Sequence, residues 1–371
     1  MLGERLKLAR EAAGLNQADA ARALRIVESG VSEMENNHRE PKAAQLATLA
    51  RLYDRSLEFF FDEEPVLPEV VLWRERPENE AAAKKIQREF FRLCENYQDL
   101  EELTGTARPS ILPEKKGLKE KFTYRHAATL ANQIWKQLDL GATPAESLRL
   151  VLEEKYLVKI FALRLSWTAS AASTRNGRFG PAILLSQDNV HWRRNFDLAH
   201  ELFHLLTWSI FRRPDEPSST MADADEERLA NCFASSLLLP TDLFDEKIQP
   251  FRDEQDNLKI TLAELHDLAR SFGVSAEAVI YRCANLLRWR KEKTQNTIDK
   301  IGNFRVWRES EPIEEIPPRY VHLIVQAYRQ GLISYNKGAE YLRKSYKQAQ
   351  DILEPPEDDA ALDQPITVTA D

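Results

Sequence analysis

Apolar residues recur every three to four positions through most of this chain, in runs that stop at proline, glycine or small polar residues. Over the first sixty-odd residues, Leu6, Ala9, Leu15, Ala20, Ala21, Leu24, Val31, Met34, Leu46, Leu49, Leu52 and Tyr53 fall at helical spacing and predict five short amphipathic helices joined by tight turns. Pro65, Pro68 and Pro77 mark the exit from this unit. Glu80 to Leu103 is rich in Ala, Lys, Arg, Glu and Leu and predicts one long connecting helix, a solvated spacer or packing strut; Pro109, Pro113 and Gly117 make residues 105 to 121 a loop. Helices are predicted over His126 to Leu138 and Pro144 to Glu154, with Gly141 and Thr143 between them.

The period then changes. Lys155 to Leu165 alternates through Tyr156, Val158, Ile160 and Phe161, so it reads as a strand, and Pro181 to Ser186 reads as a second. Between them, Ala169 to Gly180 is Ser/Ala/Gly-rich and reads as a turn region. The second strand could pair with an extended peptide through its main chain, or lie buried in a small sheet. Helical spacing returns at Phe196, Leu198, Ala199, Leu202, Phe203, Leu205 and Leu206, and again from Asp223 to a stop at Pro240. A helix pair follows through Leu262 to Leu287, with Ser275 as the cap of its second member. Phe304 to Trp307 suggests a short strand. Pro317 to Leu353 is helical with a break at Gly331 to Ser334, and the tail from Glu354 is acidic, proline-containing and of disordered composition.

The fold class is therefore multidomain and mainly α with a small β-sheet. An all-α unit at 1–66 is joined by a helical linker at 67–123 to an α+β core at 124–290, a helical C-terminal extension at 291–353 and an acidic tail at 354–371. With 43% hydrophobic and 30% charged residues, the composition is globular. A net charge of −8 argues against a general binder of nucleic acid or anionic membrane. Cys94, Cys232 and Cys283 are too few and too scattered for a disulfide framework or a thiolate metal site. No leader or membrane-length apolar run appears, so the expected location is cytoplasmic.

The chemistry concentrates at Asp197-Leu-Ala-His-Glu-Leu-Phe-His-Leu-Leu206. Residues four apart share a helix face, so His200 and His204 can aim ring nitrogens at one metal ion, while Glu201 beside them can hold a water on it. The alternative is a buried helix with two stacked histidines and a surface glutamate. An open zinc site needs a third protein ligand. Glu227 is preferred, with Glu226, Asp225 and Asp223 as rivals; Asn231, one turn on, is a partner for a ligand histidine. His191, His266 and Tyr281 are candidate oxyanion donors, each with an equally ordinary core or surface role.

Ala199-His-Glu-x-x-His-Leu-Leu followed by Glu227-x-x-Ala-Asn-x-Phe-Ala-x-x-Leu-Leu-x-Pro240, with the lead-in Trp192-Arg-Arg-Asn-Phe196, closely resembles the ImmA/IrrE metallopeptidases. The resemblance implies a zincin-like core holding one Zn2+ through His200, His204 and Glu227, with Glu201 as general base. It also implies that the enzyme cuts a helix-turn-helix repressor or antitoxin-like protein and so controls gene expression in stress, mobile-element or phage-related responses. The first domain is similar to XRE-type (Cro/C1-like) helix-turn-helix domains. This implies DNA contacts through Gln17, Ser29, Ser32 and Arg39, with Gly30 and Glu33 on the exposed reading face. Arg25, Val27 and Asn37 depart from the usual turn and cap residues, and Glu28, Glu33 and Glu35 make the presumed reading helix acidic, which weakens the case for phosphate binding. Two other function classes remain: a transcriptional regulator or DNA/protein-binding scaffold with a non-catalytic, sensor-like peptidase core, and a toxin-like or defence protease.

Overall fold

The computed structural model describes residues 2–53, 55, 57–61, 71–74, 79–117, 119–165, 169–212, 222–254, 258–287, 289–301 and 313–354. The suggested strand at Phe304 to Trp307, the prolines at 65, 68 and 77 and the acidic tail beyond Glu354 lie outside these residues.

Five helices form the N-terminal unit: α1 (Leu2–Ala12), α2 (Gln17–Leu24), α3 (Glu28–Glu35), α4 (Ala43–Tyr53) and α5 (Glu58–Phe61). Leu6, Ala9, Ala20, Ala21, Val31, Met34, Leu46, Leu49 and Tyr53 build its core with Phe59 and Phe60. Asn16 caps α2 in a reciprocal box with Asp19, whereas Val27 begins α3 with no side-chain cap. Arg25 (φ 55°) and Asn37 (φ 58°) both adopt the left-handed conformation that glycine usually supplies at such turns. Gly3 permits a close crossing: a Cβ there would sit 2.5 Å from the Glu35 carbonyl.

The rest of the described chain is organised around one four-stranded sheet, in the order β1-β3-β4-β2. Its strands are β1 (Leu72–Trp73), β2 (Lys159–Leu163), β3 (Ala171–Asn176) and β4 (Gly180–Ser186). β4 pairs antiparallel with β3 and parallel with β2, so it is central and fully paired; an extended peptide cannot add to it. Nor is 169–180 a turn region: Ala171 to Asn176 is a strand, held by a six-pair ladder to β4 and by β1 on its other edge. Its small, polar residues carry little strand propensity of their own, and pairing on both sides supplies the order.

Alternation along the strands separates two cores. On one face Ile160, Ala171, Ile183 and Leu185 pack with α7 (Tyr124–Gln137), α8 (Pro144–Glu154), α9 (His191–Leu206) and α11 (Ala224–Leu238), and α13 (Leu262–Phe272) and α14 (Ala276–Leu286) close the cluster. Here α10 is the short turn Trp208–Phe211, and α12 is Thr241–Ile248. Ser275 caps α14, and Gly273, at φ 64°, ends α13 against Ala145 and accepts a hydrogen bond from Asn195 of α9 at 2.9 Å. On the other face Trp73, Phe161, Leu163, Ala172, Ala182 and Leu184 pack with α6 (Glu80–Leu103), α16 (Pro318–Arg329), α17 (Tyr335–Tyr341) and α18 (Tyr346–Leu353); α15 is Lys291–Ile301. The long helix α6 is thus a packing strut, burying Phe90, Phe91, Cys94, Tyr97 and Leu100. Its Glu101 is buried between Lys159 at 2.9 Å and Arg319 at 2.5 Å. The N-terminal unit docks on α6 through Arg55, which donates to Glu95 at 2.9 Å and lies over the rings of Phe59 and Phe91. Among the described residues no helix is long and apolar enough to cross a membrane, and the three cysteines are free.

Candidate metal centre

Helix α9 is buried along most of its length because its apolar residues face the sheet, α7, α8 and α11, and this carries His200, Glu201 and His204 into the core. Helix α11 begins at Asp223, whose carboxylate caps the amides of Asp225 and Glu226, and its acidic first turn faces the two histidines. Glu227 Oε2 lies 3.2 Å from His200 Nε2, Glu227 Oε1 lies 3.4 Å from His204 Nε2, and the two Nε2 atoms are 3.2 Å apart.

Each imidazole is held from behind. His200 Nδ1 is 3.1 Å from Asn231 Oδ1, and His204 Nδ1 is 2.9 Å from Glu226 Oε1. An Nδ1–H donating to these oxygens would leave both Nε2 lone pairs free for a metal ion held between the imidazoles and Glu227. Arg212 fixes Glu226 with two bonds, at 2.9 and 3.0 Å. Glu226, a rival for the third ligand in the sequence, is thus committed to His204 and Arg212, and Glu227 is the carboxylate that converges with both histidines. The sequence offered no local signal for Arg212, which precedes α11 by a dozen residues.

Glu201 is fully buried. Ser173 of β3 donates to its Oε2 at 2.6 Å, while Oε1 has no hydrogen-bond partner among the described residues. Burial pushes the Glu201 carboxyl up to about 7 despite nearby His204 and the Ser173 bond. Burial also drives the His200 imidazole down to about 4. Burial opposes charge on His204 as well, but the hydrogen bonds to Glu226 and Glu227 overcome it and hold that ring up at about 9. The Glu227 carboxyl, again against burial, is held down to about 2 by its bonds to the two histidines.

This donor set fits a zinc ion. Tetrahedral bonds of about 2.0–2.1 Å place neighbouring ligand atoms about 3.3–3.4 Å apart; the two Nε2 atoms are 3.2 Å apart, and Glu227 turns one oxygen to each, Oε2 at 3.2 Å from His200 and Oε1 at 3.4 Å from His204. Two imidazole nitrogens with their other nitrogens already engaged face each other across that gap, and the buried, unpartnered Glu201 Oε1 calls for a polar group beside it.

The other expected site residues are dispersed. Ser29 and Arg39 are exposed and Ser32 is half-buried, but Gly30 is buried against Ile26, which removes it from the reading face. Glu35 is not on that face either: Arg10 binds it with Nε at 2.6 Å and Nη2 at 3.0 Å, and Gln17 donates to the same carboxylate at 2.7 Å. Gln17 thus gives one amide N–H to Glu35 inside the domain, and the acidity of the reading helix reduces to Glu28 and Glu33. Of the candidate oxyanion donors, His191 opens α9, His266 lies in α13 with its Nε2 buried and unpartnered among the described residues, and Tyr281 is exposed on α14.

Comparison with known proteins gives both regions a place. Residues 153–284 match the family described as the IrrE N-terminal-like domain, peptidase M78, and residues 1–58 match that described as a helix-turn-helix domain. A curated relative, the HTH-type transcriptional regulator ImmR of Bacillus subtilis (strain 168), is 37% identical over 65 residues, 18% of this chain and 51% of its own; the chain thus spans about half the length of that relative. Among solved structures, a Mycobacterium tuberculosis transcriptional regulator aligns over 51% of each chain at 18% identity and a TM-score of 0.31. ComR from Streptococcus suis aligns over 98% of this chain and 94% of its own at 12% identity and a TM-score of 0.16. The chain joins an XRE-type helix-turn-helix domain to an IrrE N-terminal-like peptidase domain, the architecture of the ImmA/IrrE family.

Proposed function

We propose that this protein is a zinc-dependent endopeptidase under the control of its helix-turn-helix domain, and that it cuts a repressor or antitoxin-like protein to change gene expression. The observation that carries this reading is the convergence of His200 Nε2, His204 Nε2 and a Glu227 oxygen on one point, with the buried Glu201 carboxyl alongside. His200, His204 and Glu227 would hold one zinc ion, which supplies a Lewis acid for the scissile carbonyl when bound.

The chain's own residues do the rest. Glu201, held near neutrality by burial, takes a proton from water at its Oε1 and returns it to the leaving amine; a carboxyl poised close to the working pH can do both. Ser173 fixes the other oxygen, so the carboxylate presents a single basic lone-pair set. Asn231 and Glu226 orient the two imidazoles; against burial, His204 and then Arg212 hold the Glu226 carboxyl below its ordinary range, and Arg212 fixes its position. The helix-turn-helix domain would meet DNA through Gln17, Ser29, Ser32 and Arg39, with Gln17 also bracing Glu35.

Mass-spectrometric metal content of the purified protein, against His204→Ala and Glu227→Ala, tests the ligand set. About one zinc per chain, lost or weakened in both variants, supports it; failure to bind any divalent metal after reconstitution would remove the peptidase reading. A sensor-like core without turnover is the second reading. It is favoured by one feature, the covering of the β3 edge beside Glu201 by β1.

A further inference from the structure

β3 is the strand nearest the general base, and its outer edge carries a segment of the same chain. Leu72 pairs with Ser173 and Trp73 with Ala172, antiparallel, and the Arg74 amide donates to the Ala171 carbonyl at 3.2 Å. Paired residues share a face of a sheet and successive residues alternate. Ser173 faces α9, because its hydroxyl reaches Glu201; Leu72 therefore faces α9 as well, and Arg74 does so two residues on. Arg74 confirms that orientation by bonding Asp197 of α9, one turn before Glu201, and its guanidinium lies over the Phe196 ring at 5.1 Å. Trp73 points to the opposite face and packs with α6.

Resting on the peptidase reading above, we propose that Leu72–Arg74 is a built-in pseudosubstrate: it occupies the edge where the extended substrate must pair, and the substrate that replaces it carries an apolar–aromatic–basic sequence whose basic residue is read by Asp197. Main-chain bonds to an edge strand suit any extended peptide, while alternate side chains give the selectivity. Asp197 supplies the selective element, being a completely buried carboxylate. It can release Arg74 without being stranded, because Asn189 donates to it at 3.0 Å and Arg193 lies at 3.2 Å. The resident strand is also imperfectly satisfied: Trp73 Nε1 is buried with no hydrogen-bond partner among the described residues. A tethered strand acts at an effective concentration in the millimolar range, so it excludes weak peptides and yields only to a segment that matches it.

The test uses the zinc-loaded full chain carrying Glu201→Gln, with and without Arg74→Ala, and a fluorescent peptide Val-Leu-Trp-Arg beside a Val-Leu-Trp-Glu control. Loss of the Arg74–Asp197 pair should tighten binding of the first peptide by about tenfold or more and leave the control weak. With Glu201 intact, Arg74→Ala should accelerate hydrolysis of casein, and Arg74→Lys, which keeps a charge for Asp197 but not the guanidinium over Phe196, should accelerate it less. If Arg74→Ala is poorly folded, hydrogen exchange on the Glu201→Gln protein gives the answer, because saturating Val-Leu-Trp-Arg should deprotect the amides of Leu72 to Arg74. Equal affinities for both peptides, or unchanged exchange with peptide bound, overturns the pseudosubstrate. Zinc binding and equal casein cleavage in both proteins would overturn it while leaving the peptidase reading intact. Tighter peptide binding without any cleavage would do the reverse.

Discussion

Two buried ionic clusters in this chain look alike and behave differently. In the helix-turn-helix domain, Arg10, Glu35 and Gln17 form a closed set: the carboxylate receives three bonds and its charge is matched by one guanidinium. Around α9, the histidines and Glu227 turn three donor atoms toward one another, and Glu201 keeps an oxygen unpartnered among the described residues. A closed cluster is a fastening, since every polar group has already been used. An open one has capacity left for a ligand, and that residue of unmet bonding separates chemistry from architecture.

The contrast is broken most severely by Glu201→Gln. Cleavage should fall by about 10²–10⁴-fold while zinc content stays at the wild-type level, as read by turnover and metal analysis of one preparation. Cleavage that survives would exclude Glu201 as the base. Glu35→Ala makes the opposite cut. It strands a buried guanidinium and should destabilise the N-terminal domain by about 3–5 kcal/mol, lowering its urea midpoint without loss of zinc. A measured change below about 1 kcal/mol would show that the cluster relaxes on losing its acid.

A third expectation concerns pH. The Glu201 carboxyl sits at about 7 in the fold against an ordinary 4.5, so between those values the folded state holds the extra proton and stability falls as pH rises. In metal-free protein, Glu201→Gln should therefore be more stable than wild type at pH 8, by up to about 3 kcal/mol, and indistinguishable from it at pH 4. Denaturant unfolding at the two pH values checks this, and a difference that persists at pH 4 would point to packing instead. The smallest effect is expected from Glu226→Gln, which keeps a hydrogen-bond acceptor for His204 but drops the charge. Zinc affinity should weaken by about 10–100-fold, measured by competition with a chelator.

Strong local periodicity made much of this legible from the residues alone. Glu80 to Leu103 and Pro144 to Glu154 are helices over the bounds their spacing indicated, and the turn at Asn37 has the left-handed conformation that asparagine tolerates. The histidine pair was readable because four-residue spacing fixes a shared face. What escaped depends on partners distant in sequence. Ala171 to Asn176 becomes a strand only between two neighbours, and β1 is two residues long. Glu226 and Glu227 are adjacent acids on one helical turn, and only the approach of His204 and Arg212 gives them different roles. Glu35 looked like a surface acid because Arg10 lies 25 residues away.

The joint between Arg55 and Glu95 bears on how such a protein could be recombined. Arg55 leaves the helix-turn-helix domain to neutralise a carboxylate buried in α6, and its guanidinium is sandwiched between Phe59 of one unit and Phe91 of the other. A reading head transplanted from another regulator would take away the Arg55 partner of the buried Glu95 carboxyl unless it brought its own arginine at that position. The two halves are thus keyed to each other, and a chimera would inherit the body's folding only by inheriting that key.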